Sequence, residues 1–105
     1  MEFKIIKFIG KVTYENVDTF IVGIDELIVP GFILIADISE IDYADSYLLG
    51  TLIRFHRSLE EQNAKFFILN DSDDNFMTEI FNVTCLYKIL RIVKSIDEVK
   101  EKLNG

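Results

Sequence analysis

Phe32-Ile33-Leu34-Ile35-Ala36-Asp37-Ile38 is the stretch on which the fold turns. It has strand length and strand composition, but it lacks the alternation of apolar and polar residues that marks a half-buried strand. A strand that is apolar on both faces must be covered on both, as happens inside a parallel sheet flanked by helices. Pro30-Gly31 supplies the turn before it. Three more apolar segments of strand length lie along the chain: Phe3–Ile9 (closed by Gly10), Ala64–Leu69 and Tyr87–Val93.

Helical periodicity fills the intervals. From Glu15 to Leu27, the residues Val17, Phe20, Ile21, Ile24, Leu27 and Ile28 recur at spacings of three and four, which predicts an amphipathic helix. Asp45–Gln62 carries Leu48, Leu49, Leu52, Ile53, His56 and Leu59 on one side and Tyr47, Gly50, Thr51, Arg54, Arg57 and Ser58 on the other. Asn75–Asn82 reads as a short helix. Ser95-Ile96-Asp97-Glu98 has the capping-box pattern and opens a last helix ending near Leu103. A βα unit repeated four times defines an α/β fold, with a mainly parallel four-stranded core sheet, right-handed crossovers and about four helices.

Composition agrees with one folded domain spanning residues 1–105. Leu, Ile, Val and Phe make up 42 of the 105 residues, far above the level at which chains stay disordered. The net charge of −7, from 11 basic and 18 acidic residues, repels phosphate backbones and anionic lipid and argues against nucleic-acid and membrane-surface roles. Direct membrane insertion is not expected, because no apolar run approaches the ~20 residues a spanning helix needs. Lys4 and Lys7 interrupt Phe3–Ile9 and no small-residue cleavage site follows, so a signal peptide is not expected either. Asn82-Val83-Thr84 is then a chance match to the glycosylation sequon. The single cysteine, Cys85, is expected as a small buried hydrophobe in a cytoplasmic, reducing setting.

The usual enzymatic signatures are missing. The chain has no glycine-rich phosphate loop, no Cys or His pair at metal spacing and no Gly-x-Ser-x-Gly elbow, so neither catalysis nor a cofactor is expected. The lone His56 sits on or beside an apolar stripe and reads as a packed or boundary residue. Asp37, Glu40, Asp42 and Asp45 gather around the end of the central strand, where α/β sheets collect ligands. A hard-metal site of the phospho-receiver kind also needs an acidic pair after the first strand, and Gly10-Lys11-Val12-Thr13 stands there instead. These carboxylates, like Asp71–Asp74, are therefore read as solvated loop residues and helix caps, and no metal is expected.

Ser46 stands apart. Asp45 can cap the helix that follows, which puts Ser46 in the first turn, where free N–H groups and the positive end of the dipole favour an added anion. A hydroxyl there is a natural phosphate acceptor. It is also a residue type commonly found at helix starts for capping alone.

The segment Ile33-Leu34-Ile35-Ala36-Asp37-Ile38-Ser39-Glu40-Ile41-Asp42-Tyr43-Ala44-Asp45-Ser46-Tyr47-Leu48-Leu49-Gly50-Thr51-Leu52 resembles the signature of STAS domains, the anti-anti-sigma factor (anti-sigma factor antagonist) family. Members show an apolar strand ending in Asp-hydrophobic-Ser, a short loop, and then Asp-Ser-Ser/Thr-Gly-Leu opening a helix. Gly10-Lys11-Val12 resembles the family's glycine turn before its first helix, and Phe66–Leu69 comes at the expected distance. Ile92-Val93-Lys94-Ser95-Ile96-Asp97-Glu98-Val99 resembles its closing strand and helix. The resemblance covers about residues 3–103. Three positions depart from the pattern: Tyr47 replaces a second Ser or Thr, Leu48 replaces Gly, and Thr13 stands where an acidic residue is usual.

The resemblance implies a STAS-like fold and a role in bacterial signalling and transcription regulation. In the family, the serine matching Ser46 is phosphorylated by a partner, an anti-sigma factor with serine kinase activity. The unmodified protein binds that partner and releases the sigma factor, and phosphorylation ends the binding. Thr13, Asp45, Ser46, Tyr47, Gly50, Thr51 and Arg54 are expected to form one contiguous partner-binding face on a monomer or weak dimer. Two alternatives stay open: a module that binds a small anionic ligand at the same helix N-terminus, and a non-switching subunit of a transport-associated or signalling assembly.

Overall fold

In the computed structural model, which describes residues 3–104, the doubly apolar run becomes the first half of β2 (Ile33–Ala44). It pairs in parallel with β1 (Phe3–Val12) on one side and β3 (Lys65–Leu69) on the other. A two-residue β4 (Ile92–Val93) joins β3, also in parallel, giving the order β1-β2-β3-β4. Right-handed crossovers that always step in one direction place their helices on one face of the sheet. Accordingly α1 (Val17–Ile21), α2 (Ser46–Glu61) and α3 (Phe76–Thr84) share a core with Leu34, Ala36, Ile38, Phe66 and Ile68. The opposite face, with Ile33, Ile35, Phe67 and Val93, is covered by α4 (Ile96–Asn104) through Val99. The central strand is thus buried on both faces, as its composition requires.

Several boundaries differ from the expectation, each for a local reason. β1 does not stop at Gly10; it continues to Val12 through two register shifts against β2, between Lys7 and Ile9 and between Gly10 and Lys11. Gly10 has φ +76, a left-handed value that glycine takes without a steric penalty, so it bends the strand instead of ending it. β2 likewise runs on through the segment read as a loop, because Ile41 is buried and the extended β1 offers it partners as far as Ala44.

The helix expected over Glu15–Leu27 is reduced to α1 and a separate 3-10 turn at Asp25–Leu27. Gly23, at φ +80, breaks it, and Leu27 is exposed instead of buried. The strand expected over Tyr87–Val93 is confined to its last two residues. Leu86 and Leu90 are the buried pair while Tyr87 and Ile89 are exposed; a spacing of four belongs to a helical turn, and a 3-10 turn forms at Leu86–Lys88. Cys85, expected inside, is exposed. It closes α3 with φ 60, its N–H bonded to the Asn82 carbonyl, a position that faces solvent. Phe55, absent from the predicted stripe, is fully buried on α2, with its ring 5.9 Å from that of Phe66.

Candidate functional site

The site is built where β2 ends and α2 begins. Asp45 is the N-cap: its Oδ1 accepts the Leu48 N–H at 3.1 Å, satisfying one of the donors a helix start leaves free. Its Oδ2 accepts the Tyr14 N–H at 2.9 Å, from the turn after β1. One carboxylate therefore ties two loops together. The Tyr14 N–H is the largest cause that holds this carboxyl below its ordinary value of 3.8; desolvation opposes it, and the Leu48 and Tyr47 N–H groups act in the same direction as Tyr14. Asp45 is ionised throughout the neutral range.

Ser46, the first residue of α2, is exposed. Tyr47 beside it is 51% exposed, outside the core. Together with Gly50, Thr51 and Arg54 they line a shallow depression of ≈ 360 Å³. A second depression, lined by Gly50, Ile53, Arg54, Arg57, Ser58 and Glu61, shares Gly50 and Arg54 with it. The two form a continuous groove along the outward side of α2. Gly50 has an ordinary helical backbone, and a Cβ placed on it would meet nothing within 4 Å. The fold itself does not call for glycine there. Arg54 lies over the Phe55 ring, 4.6 Å from its centroid, and reaches Asp25 at 3.5 Å.

Two of the seven expected face residues are not displayed. Thr13 is 8% exposed and Thr51 6%. Thr13 shapes the turn into α1: its N–H goes to Asn16 Oδ1 and its carbonyl accepts from Asn16 and Val17. Thr51 turns inward and donates its hydroxyl to the Tyr47 carbonyl at 2.9 Å, though its outer atoms still reach the floor of the groove. Asp45, Ser46, Tyr47, Gly50 and Arg54 are brought together. Sequence reading missed Tyr14, whose backbone anchors Asp45, and Asn16, which locks the turn. Thr13 followed three positions later by an Asn whose side chain accepts the Thr13 N–H resembles a capping box, a pattern that would have found the second.

The other carboxylates disperse. Glu40 pairs with Lys7, and Asp37 accepts the Ser39 N–H at 3.0 Å. Among the described residues no group of three or more His, Cys, Asp or Glu could hold a metal. In the loop after β3 the cap of α3 is Asn75, not an aspartate. Asn75 exchanges hydrogen bonds with the buried Asn70, while Asp73 pairs with Lys94. His56 is half-buried, at the boundary. Among the described residues, no helix is long and apolar enough to cross a membrane.

The family model of the STAS domain matches the chain over residues 2–99, and the chain belongs to that family. No curated protein matches it.

Proposed function

We propose that this chain is a non-catalytic, protein-binding regulatory module: an anti-sigma factor antagonist whose binding to an anti-sigma factor with serine kinase activity ends when Ser46 is phosphorylated. The observation that carries the reading is Ser46 itself, exposed at the head of α2 and adjoining a groove that a partner can reach. Phosphorylation adds about −1.5 to −2 charges, next to the ionised Asp45. The helix N-terminus tolerates that charge within the fold, whereas a partner seated in the groove would have to desolvate it. Modification therefore dissolves the complex without unfolding the domain.

Pull-down from the native cell, followed by identification of the bound proteins, is expected to recover an anti-sigma kinase. Added ATP should then modify Ser46 and release the complex, and Ser46→Ala should leave it intact. A recovered kinase complex that ATP leaves whole, with Ser46 unmodified, overturns the switch and favours a non-switching subunit.

A further inference from the structure

The two edges of the sheet are unequal. β4 is two residues long, while β1 is ten residues long and its outer side is unpaired among the described residues. Its segment Phe3–Lys7 stays in unbroken register with β2, and both register shifts come later. Along these five residues of regular strand, the N–H and C=O groups that do not pair with β2 point sideways and free, an arrangement native sheets ordinarily blunt. Among the described residues, no hydrogen bond from a turn or side chain reaches the backbone of this segment.

The face beside that edge is also open. α4 covers β2, β3 and β4 on its side of the sheet but stops short of β1. Phe3 is left 59% exposed and Ile5 40%, on one face by the alternation of the strand. They continue into an apolar groove of ≈ 190 Å³ between the sheet and α4, lined by Phe3, Ile33, Ile35, Ile96, Val99, Lys100 and Leu103. Charge is the third observation. In a chain of net charge −7, β1 carries no carboxylate, and Lys4 is exposed on the face opposite Phe3 and Ile5, whereas Lys7 already pairs with Glu40 and Lys100 borders the groove.

We propose that the edge of β1 at Phe3–Lys7 is a strand-addition site for an extended partner segment that alternates apolar and carboxylate side chains. Backbone hydrogen bonding to a free edge supplies affinity, and alternate side chains supply specificity. Apolar residues of the incoming strand lie beside Phe3 and Ile5 on the α4 face. Its carboxylates fall on the other face, next to Lys4, which is exposed there ahead of the buried Ile6 and Phe8. A second copy of this chain is disfavoured: pairing two β1 edges joins two strands that carry lysines and no carboxylate, on two bodies that are each negative overall. The lysines therefore guard against self-pairing while suiting an acidic strand.

The test uses the whole chain with two blocked seven-residue peptides, one alternating Val and Glu and one alternating Val and Lys, read by backbone amide shifts and hydrogen exchange. The Val/Glu peptide should shift the amides of Phe3–Lys7 and slow their exchange roughly tenfold near saturation, while the Val/Lys peptide leaves them unchanged. Lys4→Glu should weaken the first peptide and admit the second, a gain that loss of folding cannot mimic. Ile5→Glu should abolish the response to the Val/Glu peptide. Three results would overturn the proposal: equal binding of the two peptides, shifts confined to other elements or absent, or sedimentation of the free chain as a dimer that Ile5→Glu dissociates.

Discussion

Tyr14 and Asp45 are 31 positions apart in sequence and joined by one 2.9 Å hydrogen bond, from the tyrosine N–H to the carboxylate. The same carboxylate caps α2 through Leu48. The turn after β1 and the head of the serine's helix are thus held by a single side chain, so the two loops flanking Ser46 are positioned together.

This junction has a pH signature. The Asp45 carboxyl titrates lower when folded than its ordinary value of 3.8. A depressed folded value means that its stabilisation is fully present above the unfolded value and is lost as pH falls through the folded one. Asp45→Asn keeps an acceptor but no charge. In urea unfolding, the gap between the native protein and Asp45→Asn should be widest at neutral pH and close progressively below pH 3.8. A gap that stays constant would show that the charge contributes nothing.

Ser46→Asp separates folding from binding. Carboxylates in a first helical turn gain ~0.3–1 kcal/mol from the dipole, so thermal unfolding should shift little and upward if at all. Affinity for the proposed kinase partner should fall by about tenfold, or ~1.4 kcal/mol. Unchanged affinity, measured by calorimetry, would argue that the head of α2 is not in the interface.

Gly50 offers a test of the groove. An exposed helical glycine costs about 0.5–1 kcal/mol relative to alanine, and a Cβ there would meet no neighbour. Gly50→Ala should therefore stabilise the chain by about that amount in urea titration. Gly50→Gln should keep the fold and obstruct the partner. Destabilisation by alanine would contradict the open geometry at this position.

Cys85 should react with a thiol reagent in the native state at the rate of a free thiol, since it is exposed. At φ 60 it also adopts a left-handed cap, which costs a non-glycine residue roughly 1–2 kcal/mol. Cys85→Gly should raise the unfolding midpoint. Slow reaction that speeds up only in denaturant would place the thiol inside.

The core prediction concerns Ile35, 2% exposed under α4. Ile35→Ala should cost ~2–5 kcal/mol. A change below about 0.5 kcal/mol, measured by urea unfolding, would mean that this strand is not central.

The parallel sheet was legible in the sequence because β2 is apolar on both faces, and such a strand folds stably only with cover on each side. Asp45 and Ser46 were legible because capping is local chemistry. What stayed hidden was decided by contacts distant in sequence or by backbone angles. The extension of β2 depends on β1 continuing through Gly10, and nothing in Glu40–Ala44 alone announces it. The burial of Thr51 follows from how α2 is rotated on the sheet, which places Phe55 inward and a threonine beside it. Tyr14 contributes only a backbone N–H, to which its residue type gives no clue.

The strand order has a consequence for how the molecule is made. Each strand lies beside the one before it in the chain, so a polypeptide emerging from the ribosome meets a finished neighbour each time a new strand appears. The sheet can then grow in one direction by accretion, without threading a late strand between two early ones. β4 and α4 complete it last, when Val93 joins the face that Ile33, Ile35 and Phe67 share and Val99 roofs it. Until that moment the nascent domain carries an uncovered apolar plane, and α4 is the element that closes it.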